Sequence, residues 1–363
     1  MTRVAVLGGG MVGSLIASEL SKSYRTTVID NNDLNLEGIK VVKIDVSGKS
    51  FSEEIKKYDF AVNCLPGFMG FEILQTLIEL KIPCTDISFM PEDCLELDDL
   101  AIRRKCTVIP DAGVAPGLSN LIVGNIVKNN DLKKIKIMVG GLPKEKTPPW
   151  NYKAPFSPID VIEEYTRPAR IVINGKIETR KALSDLERFE VEGIGELEAF
   201  LTDGLRTLLY SDNKISRIPN MSEHTIRYPG HANLVQKMID KGEFSDNIVT
   251  YKGRKISVKE KTCKELFELW KLDGQEEFTI LIIIAETNDG REITYTVYDD
   301  KKDGWSSMSR TTGLTACAIS HLLIDGKIDQ SGIICPEIIG QNDGNFEFVI
   351  QYLKERGIEI KTN

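Results

Sequence analysis

Three glycines and one aspartate near the start of the chain carry the first chemical signal. In RVAVLGGGMVGSLIASEL and the TTVID that follows, Gly8, Gly10 and Gly13 form a G-x-G-x-x-G turn between an apolar strand and a helix, and Asp30 ends a second strand. Gly8 lets the chain turn sharply at the end of the strand, Gly10 leaves room for the backbone to approach a pyrophosphate, and Gly13 allows the helix to pack close on the sheet. The helix opens at Met11 and Val12, where unpaired N–H groups favour an anion. Asp30, about 20 residues beyond the turn, is placed to accept hydrogen bonds from both hydroxyls of an adenosine ribose, which disfavours a 2′-phosphate. Asn31 and Asn32 follow with no Arg or Lys beside them. The expected cofactor is therefore NAD rather than NADP.

Such a turn works only where a sheet holds it. Past the first βαβ unit the alternation continues through IKVVKID, helix-like FSEEIKKY, DFAVNCL, a helix in FEILQTLIEL, CTDIS, a polar helix and CTVIPDAG. Six strands with crossovers predict an α/β fold with a Rossmann-type, doubly wound parallel sheet, because parallel neighbours need a crossover. Ligands bind at the carboxyl edge of such a sheet. The segments there run from Leu65 to Phe68, Asp86 to Phe89 and Asp111 to Gly117; Leu65, Pro66, Gly67, Ser88 and Gly113 join Asp45 and Val46 as further expected cofactor contacts.

From about Leu118 the pattern changes to a helix, the strand KIKIMVGGLP, a Pro-rich loop KEKTPPWNYKAP, and alternating segments such as RFEVEGIGELEAF and REITYTVYDD. This predicts a second, α+β domain on a mixed, largely antiparallel sheet with helices on one face. Two closing helical stretches, Ser307 to Ile324 and Asn345 to Arg356, are expected to return to the first domain as a cover. The expected boundaries are 1–118 with 307–363 for the NAD-binding domain and 119–306 for the second.

Composition agrees with this layout and excludes other classes. At 363 residues and 41% hydrophobic content the chain supports about two full cores. Lys plus Arg total 46 against 54 acids, a net charge of -8 without a long basic run, which argues against a nucleic-acid partner. The longest apolar stretch, Ile280 to Ala285, falls far short of a membrane span, and the start lacks a charged-then-apolar signal; a cytoplasmic location without membrane contact is expected. The seven cysteines include no C-x-x-C pair, and no two of His224, His231 and His321 stand at i, i+4. Neither a disulfide framework nor a metal site is expected.

The phrases NCLPGFMGFEIL, DISFMPED, DAGVAPGLSN, GGLP, PWNYKAPFSPIDVIEEYTRPARIVINGK, EAFLTDGLRTLL, TIRYPGH and SSMSRTTG resemble, in order and over nearly the whole chain, the saccharopine dehydrogenase-like family of amino-acid dehydrogenases. The resemblance implies NAD-linked oxidative deamination of the side-chain amine of L-lysine or a related amino acid, giving 2-aminoadipate 6-semialdehyde and ammonia. It also implies a homodimer whose second domain serves substrate binding and dimerisation. Saccharopine-forming reductases of the superfamily carry an acid where VAPG has Ala115, so a polar substrate contact is missing and a smaller amino acid fits. The competing readings are a saccharopine-type or carboxynorspermidine-type reductive condensation, usually NADP-linked and opposed by Asp30, and an NAD-binding regulatory protein without turnover.

Oxidising an amine by hydride transfer requires an unprotonated nitrogen, a carbon held near the nicotinamide, and water for the resulting imine. A free amine with a pKa near about 10.4 is protonated at neutral pH, so a base or a desolvating pocket is required. Asp111, just past a strand at the cofactor edge, Lys153 beside Trp150 and Tyr152, and His231 in YPGH are the candidate bases. Their alternatives are a loop-capping aspartate, a solvated lysine covering a tryptophan, and a structural histidine. For the α-carboxylate, Arg206 in TDGLRTLL offers a planar bidentate partner, which the resemblance places in the substrate domain. Arg227, Arg167 and Arg170 compete with it, and Tyr152 is a further substrate contact. Asp86 and Glu92, flanking DISFMPE, are candidates for an ammonium or ribose hydroxyl, or ordinary helix N-terminal acids.

Overall fold

Val4, Ala5, Val6 and Leu7 are wholly buried, as a strand covered on both faces requires. They form most of β1 (Arg3–Leu7), the centre of a parallel sheet in a computed structural model that describes residues 1–154, 158–210 and 214–363. Along the chain follow α1 (Met11–Leu20), β2 (Arg25–Asp30), β3 (Lys40–Lys43), α2 (Lys49–Ile55), β4 (Phe60–Asn63), α3 (Gly67–Glu79), β5 (Cys84–Asp86), α4 (Asp98–Arg104), β6 (Thr107–Ile109) and α5 (Leu118–Asn129). The strands lie in the order β3-β2-β1-β4-β5-β6, with Gly332–Ile333 added beside β6, and all pair in parallel. This is the doubly wound order, whose switch point falls between β1 and β4. The edge strand Gly332–Ile333 went unread in the sequence because two residues carry no periodicity.

The helix Ser307–Ile324 lies on α1, close enough that a Cβ at Gly313 would meet Leu15 at 2.9 Å, and Ser320 donates a hydrogen bond to Thr85 of β5. Asp343–Glu355 is the other closing helix; Tyr352 and Arg356 beyond it both donate to Glu19 of α1.

A second sheet has Leu132–Pro143 at its centre, parallel to Met221–Arg227 and antiparallel to Glu277–Thr287, which pairs in turn with Glu292–Asp300. The hairpin Glu187–Val191 and Gly195–Leu201 extends the other side, antiparallel throughout. Helices Pro158–Thr166, His231–Asp240 and Val258–Trp270 bury Val161, Tyr165, Val235, Leu266 and Trp270 with sheet residues Met138, Leu197, Ile226 and Ile280. This is the mixed sheet with helices on one face. The Pro-rich loop reaches Pro155, which with Phe156 and Ser157 lies outside the described residues.

Two compact units result: Met1–Asp131, Arg206–Arg217 and Met308–Ile360 form the first, and Leu132–Leu205, Ile218–Ser307 and Lys361–Asn363 the second. Relative to the boundaries drawn from sequence, α5 and the stretch Arg206–Arg217 move to the first unit. For α5 the reason is backbone packing: a Cβ at Gly124 would stand 1.9 Å from the Glu337 carbonyl oxygen, and one at Gly340 1.9 Å from that of Leu121. Two small residues interlocking helix Pro336–Gly340 with α5 leave no trace in apolar periodicity.

Candidate active site

The turn after β1 has the geometry a pyrophosphate needs. Gly8 has a left-handed φ of +91°, and a Cβ there would press on the Cys64 carbonyl oxygen at 3.0 Å; one at Gly13 would meet the Gly8 oxygen at 2.0 Å. At Gly10 a Cβ would meet nothing within 4 Å. Gly8 and Gly13 are thus required by the fold, whereas Gly10 keeps open a space in front of the α1 N-terminus, where Gly10 supplies no side-chain cap. Met11 is exposed there and Val12 partly so.

Asp30 ends β2 beside this turn. Its Oδ2 accepts from the Gly9 N–H at 2.8 Å, and its Oδ1 from the Asn32 N–H at 2.8 Å and side-chain amide at 3.1 Å; Asn31 Oδ1 accepts from Asn32 as well. The carboxylate is therefore held facing the loop while remaining partly exposed. Beyond β3, Asp45 Oδ1 takes both the N–H and the hydroxyl of Ser47, and Val46 is buried. Leu65, Pro66 and Gly67 follow β4 and open α3, packed so that a Cβ at Gly67 would stand 2.3 Å from the Phe89 oxygen. Gly113 follows β6, facing Thr312. The open cradle and the uncapped helix start fit a nicotinamide dinucleotide, with the ribose at Asp30.

At the carboxyl ends of β5 and β6 lies a buried polar cluster of Asp86, Asp111 and Arg206, all within the first unit. Asp86 is fully enclosed; Asn63 donates to its Oδ2 at 2.5 Å, and Ser88 donates both its N–H and its hydroxyl. Burial pushes this carboxyl up to about 7, against the hydrogen bonds from Ser88 and Asn63, with the Asp111 charge adding to the rise. Asn63, a polar residue in the otherwise apolar AVNC strand, is a partner the sequence reading missed, although its polarity in a buried strand was the available signal.

Asp111 and Arg206 form an ion pair, Nε to Oδ1 at 3.5 Å, and both have left-handed backbones, φ +50° and +52°. Such conformations cost of order 1–3 kcal/mol each in non-glycine residues and cluster at functional sites. Arg206 is only 5% exposed, and its guanidinium lies 5.2 Å from the ring centre of Phe89. Its Nε has no hydrogen-bond partner, and among the described residues the guanidinium donates no hydrogen bond at all. A buried arginine whose donors are not all taken up can offer charge-assisted hydrogen bonds to an anion.

Arg227 shows the opposite. It lies in the second unit, where Nη2 donates to Glu164 at 2.6 Å and to the Tyr152 hydroxyl at 3.4 Å, Nη1 to the Ile226 carbonyl, and Nε to the Tyr165 hydroxyl at 3.1 Å. Its guanidinium stacks 4.3 Å over Tyr152. The Tyr165 hydroxyl donates onward to His231 Nε2 at 3.0 Å, and His231 Nδ1 donates to the Trp150 carbonyl at 3.1 Å. Trp150, Tyr152, Tyr165 and Trp270 surround the imidazole at 5.0–5.9 Å between ring centres. Burial, with the Arg227 charge, lowers the His231 pKa to about 3. His231 is therefore a neutral structural hub with both nitrogens engaged, not a base for neutral pH.

The remaining candidates are accounted for locally. Lys153 Nζ donates to the Leu269 carbonyl at 3.2 Å. Arg170 is held by Asp203 through two parallel bonds, 2.9 and 2.8 Å, and Arg167 faces Glu163 at 3.7 Å. Glu92 is exposed. The structure thus brings Asp86, Asp111 and Arg206 together in the first unit, and keeps Tyr152, Lys153, Arg227 and His231 in the second. Arg206, expected in the substrate domain, is the one displaced.

Two family models match the chain in sequence order, and the boundary between them differs from that of the compact units, since Arg206 and residues 308–358 fall under the second model. Residues 4–109 match the family model described as saccharopine dehydrogenase NADP binding domain, and 113–358 that of the saccharopine dehydrogenase C-terminal domain. A saccharopine dehydrogenase [NADP(+), L-glutamate-forming] of Saccharomyces cerevisiae is 21% identical over 99% of this chain and 98% of its own. Alpha-aminoadipic semialdehyde synthases are similar as well: that of Arabidopsis thaliana is 23% identical over 67% of this chain, and the mitochondrial protein of Rattus norvegicus 20% over 99%. The chain spans 24% and 47% of the lengths of those two relatives. Among solved structures, apo saccharopine dehydrogenase (L-Glu forming) from Saccharomyces cerevisiae superposes with a TM-score of 0.79 at 20% identity, covering 100% of both chains. A homospermidine synthase from Legionella pneumophila in complex with NAD gives 0.69 at 14%, covering 100% of this chain and 91% of the other. At these identities the likeness shows the fold.

Proposed function

The chain belongs to the saccharopine dehydrogenase family, and we propose that within it this protein is an NAD-linked L-lysine 6-dehydrogenase. L-lysine, NAD and water would give 2-aminoadipate 6-semialdehyde, ammonia, NADH and a proton. The observation that carries this reading is Arg206, buried, paired with Asp111 at 3.5 Å and donating no hydrogen bond among the described residues. A guanidinium and a carboxylate side by side complement the α-carboxylate and α-ammonium of an amino acid. Four methylene groups and the α-carbon separate the two nitrogens of lysine, so Asp111, next to the head-group anchor, holds the α-ammonium rather than removing the side-chain proton.

Bound NAD accepts the hydride. Of the groups the sequence offered as bases, His231 is a neutral hub and Lys153 donates to a carbonyl. Asp86, held near neutrality in the first unit, is the carboxyl best matched to take a proton, with Ser88 as its hydroxyl neighbour. Asp30 favours NAD, and Ala115 leaves room for the smaller substrate. A homodimer in the cytoplasm completes the reading.

A second reading has its own support: the yeast relative matched over 98% of its length is an NADP-linked saccharopine dehydrogenase, and the family model is described as NADP-binding. One experiment separates the two. Purified protein is assayed by absorbance of reduced cofactor with NAD and NADP against L-lysine, saccharopine, L-alanine, L-glutamate and L-ornithine. L-lysine with NAD should give the largest rate. Turnover of saccharopine with NADP would replace the proposal by the second reading, and a blank in every well would leave a dinucleotide-binding protein without turnover.

A further inference from the structure

Arg206 begins a single 3-10 turn, Arg206–Leu209, in a stretch of the first unit bounded on both sides in sequence by second-unit residues. A turn this short has no ladder to hold it, and the left-handed backbone of Arg206 adds strain. The attachment comes from the next residue. Thr207 is 3% exposed; its hydroxyl accepts from the Asn120 side-chain amide at 3.1 Å and donates to Glu337 Oε2 at 3.0 Å. Asn120 also reaches Glu337 Oε2 at 3.4 Å, and its own Oδ1 accepts from the Ser119 hydroxyl at 2.9 Å and the Gly117 N–H at 3.4 Å. Asn120 and Glu337 are themselves wholly buried.

The partners stand on a stiff base. Asn120 lies in α5 and Glu337 in helix Pro336–Gly340, the two helices interlocked backbone to backbone through Gly124 and Gly340. A buried polar network is tolerated only when its members are satisfied, and a satisfied one specifies a single arrangement. Here that arrangement fixes the residue immediately after the candidate anchor.

We infer that Asn120, Thr207 and Glu337 are positioning residues that hold Arg206 against Asp111, so that the amino-acid head group meets a preset guanidinium. The inference rests on the reading of Arg206 as the α-carboxylate anchor. None of the three touches substrate; they act through the backbone of the 3-10 turn. An orienting group displaced even slightly lowers productive binding, which is why a network remote from the reacting atoms affects recognition.

The test compares Thr207→Val, Thr207→Ser and Arg206→Ala, with L-lysine and NAD as the probes and thermal melting of each variant as a check on folding. Thr207→Val, which keeps the shape and deletes the hydroxyl, should raise KM for L-lysine about tenfold while the Kd for NADH stays within about twofold. Thr207→Ser retains the hydroxyl and should restore the wild-type KM. Added to Arg206→Ala, the Thr207→Val change should raise KM for L-lysine no further, because the residue it positions is gone. A Thr207→Val protein with a lowered Tm and an unchanged KM, beside an Arg206→Ala protein with a raised KM, would overturn the positioning role and leave the anchor standing. An unchanged KM in Arg206→Ala would remove the anchor, and the inference with it.

Discussion

The cofactor choice rests on one carboxylate, and its effect can be worked from geometry. Asp30 is fixed by the Gly9 N–H at 2.8 Å and the Asn32 N–H at 2.8 Å, so it cannot swing aside to admit a 2′-phosphate. A phosphate monoester carries about −1.5 to −2 charges near pH 7. At roughly 4 Å, each unit of like charge costs about 1 kcal/mol in water and about 4 kcal/mol at the effective dielectric of a protein surface. Asp30 is partly exposed, between those limits. NADH should therefore bind tighter than NADPH by more than about tenfold at low salt, with the margin shrinking as ionic strength rises. Asp30→Asn retains an oxygen for the Gly9 N–H while removing the charge, and should bring the two cofactors within about tenfold of each other. Fluorescence titration of both reduced cofactors into both proteins reads this directly. Wild-type protein that binds NADPH as tightly as NADH, or an Asp30→Asn protein with an unaltered ratio, would refute the assignment.

Three further outcomes follow from the same structure. Glu223, on strand Met221–Arg227, is 3% exposed with the Thr202 hydroxyl donating to it, and burial pushes its carboxyl up to about 8. Between about pH 4.5 and 8 the unfolded chain releases this proton first, so the native state loses stability as pH rises, by on the order of 3–5 kcal/mol. Glu223→Gln lacks that dependence and should gain on wild type in urea midpoint from pH 5 to pH 8; an equal difference at both would contradict the burial argument. In the glycine turn, Gly13→Ala drives a methyl into the Gly8 oxygen and should destabilise the fold by about 1–3 kcal/mol. Gly10→Ala meets no protein atom within 4 Å and should melt like wild type while weakening NADH binding about tenfold or more, and retained affinity would displace the pyrophosphate from Gly10.

The parallel sheet was legible in its first six strands because each of these carries its own signal. A strand buried on both faces is a continuous apolar run, as in RVAVL and DFAVNC, and the crossover helices between such runs leave few topologies open. Gly332–Ile333 and helix Pro336–Gly340 carry no such signal, since they are specified by what they pack against. The same limit misplaced the domain boundary. Strand and helix patterns locate elements along the chain, but nothing in TDGLRTLL states that the chain crosses to the first unit for twelve residues, Arg206–Arg217, and returns.

The site divides along a sharper line. Residue type nominated Arg206 first and Arg227 as an alternative, each a guanidinium able to grip a carboxylate. What separates them is the satisfaction of their donors, a property of the surroundings. Arg227 is engaged by Glu164, Tyr152, Tyr165 and the Ile226 carbonyl, and is part of a core. Arg206 has one longer ion pair and a ring beneath it, and among the described residues its guanidinium donates no hydrogen bond. Leaving a buried donor unmade costs about 1–3 kcal/mol, so a fold retains such a group where a ligand completes it. The same reasoning removes His231: TIRYPGH gives it the intrinsic pKa of a good base, and burial among four aromatic rings takes that away. Sequence proposes chemistry by residue type, and the hydrogen-bond account of the fold decides which of those residues is still free to perform it.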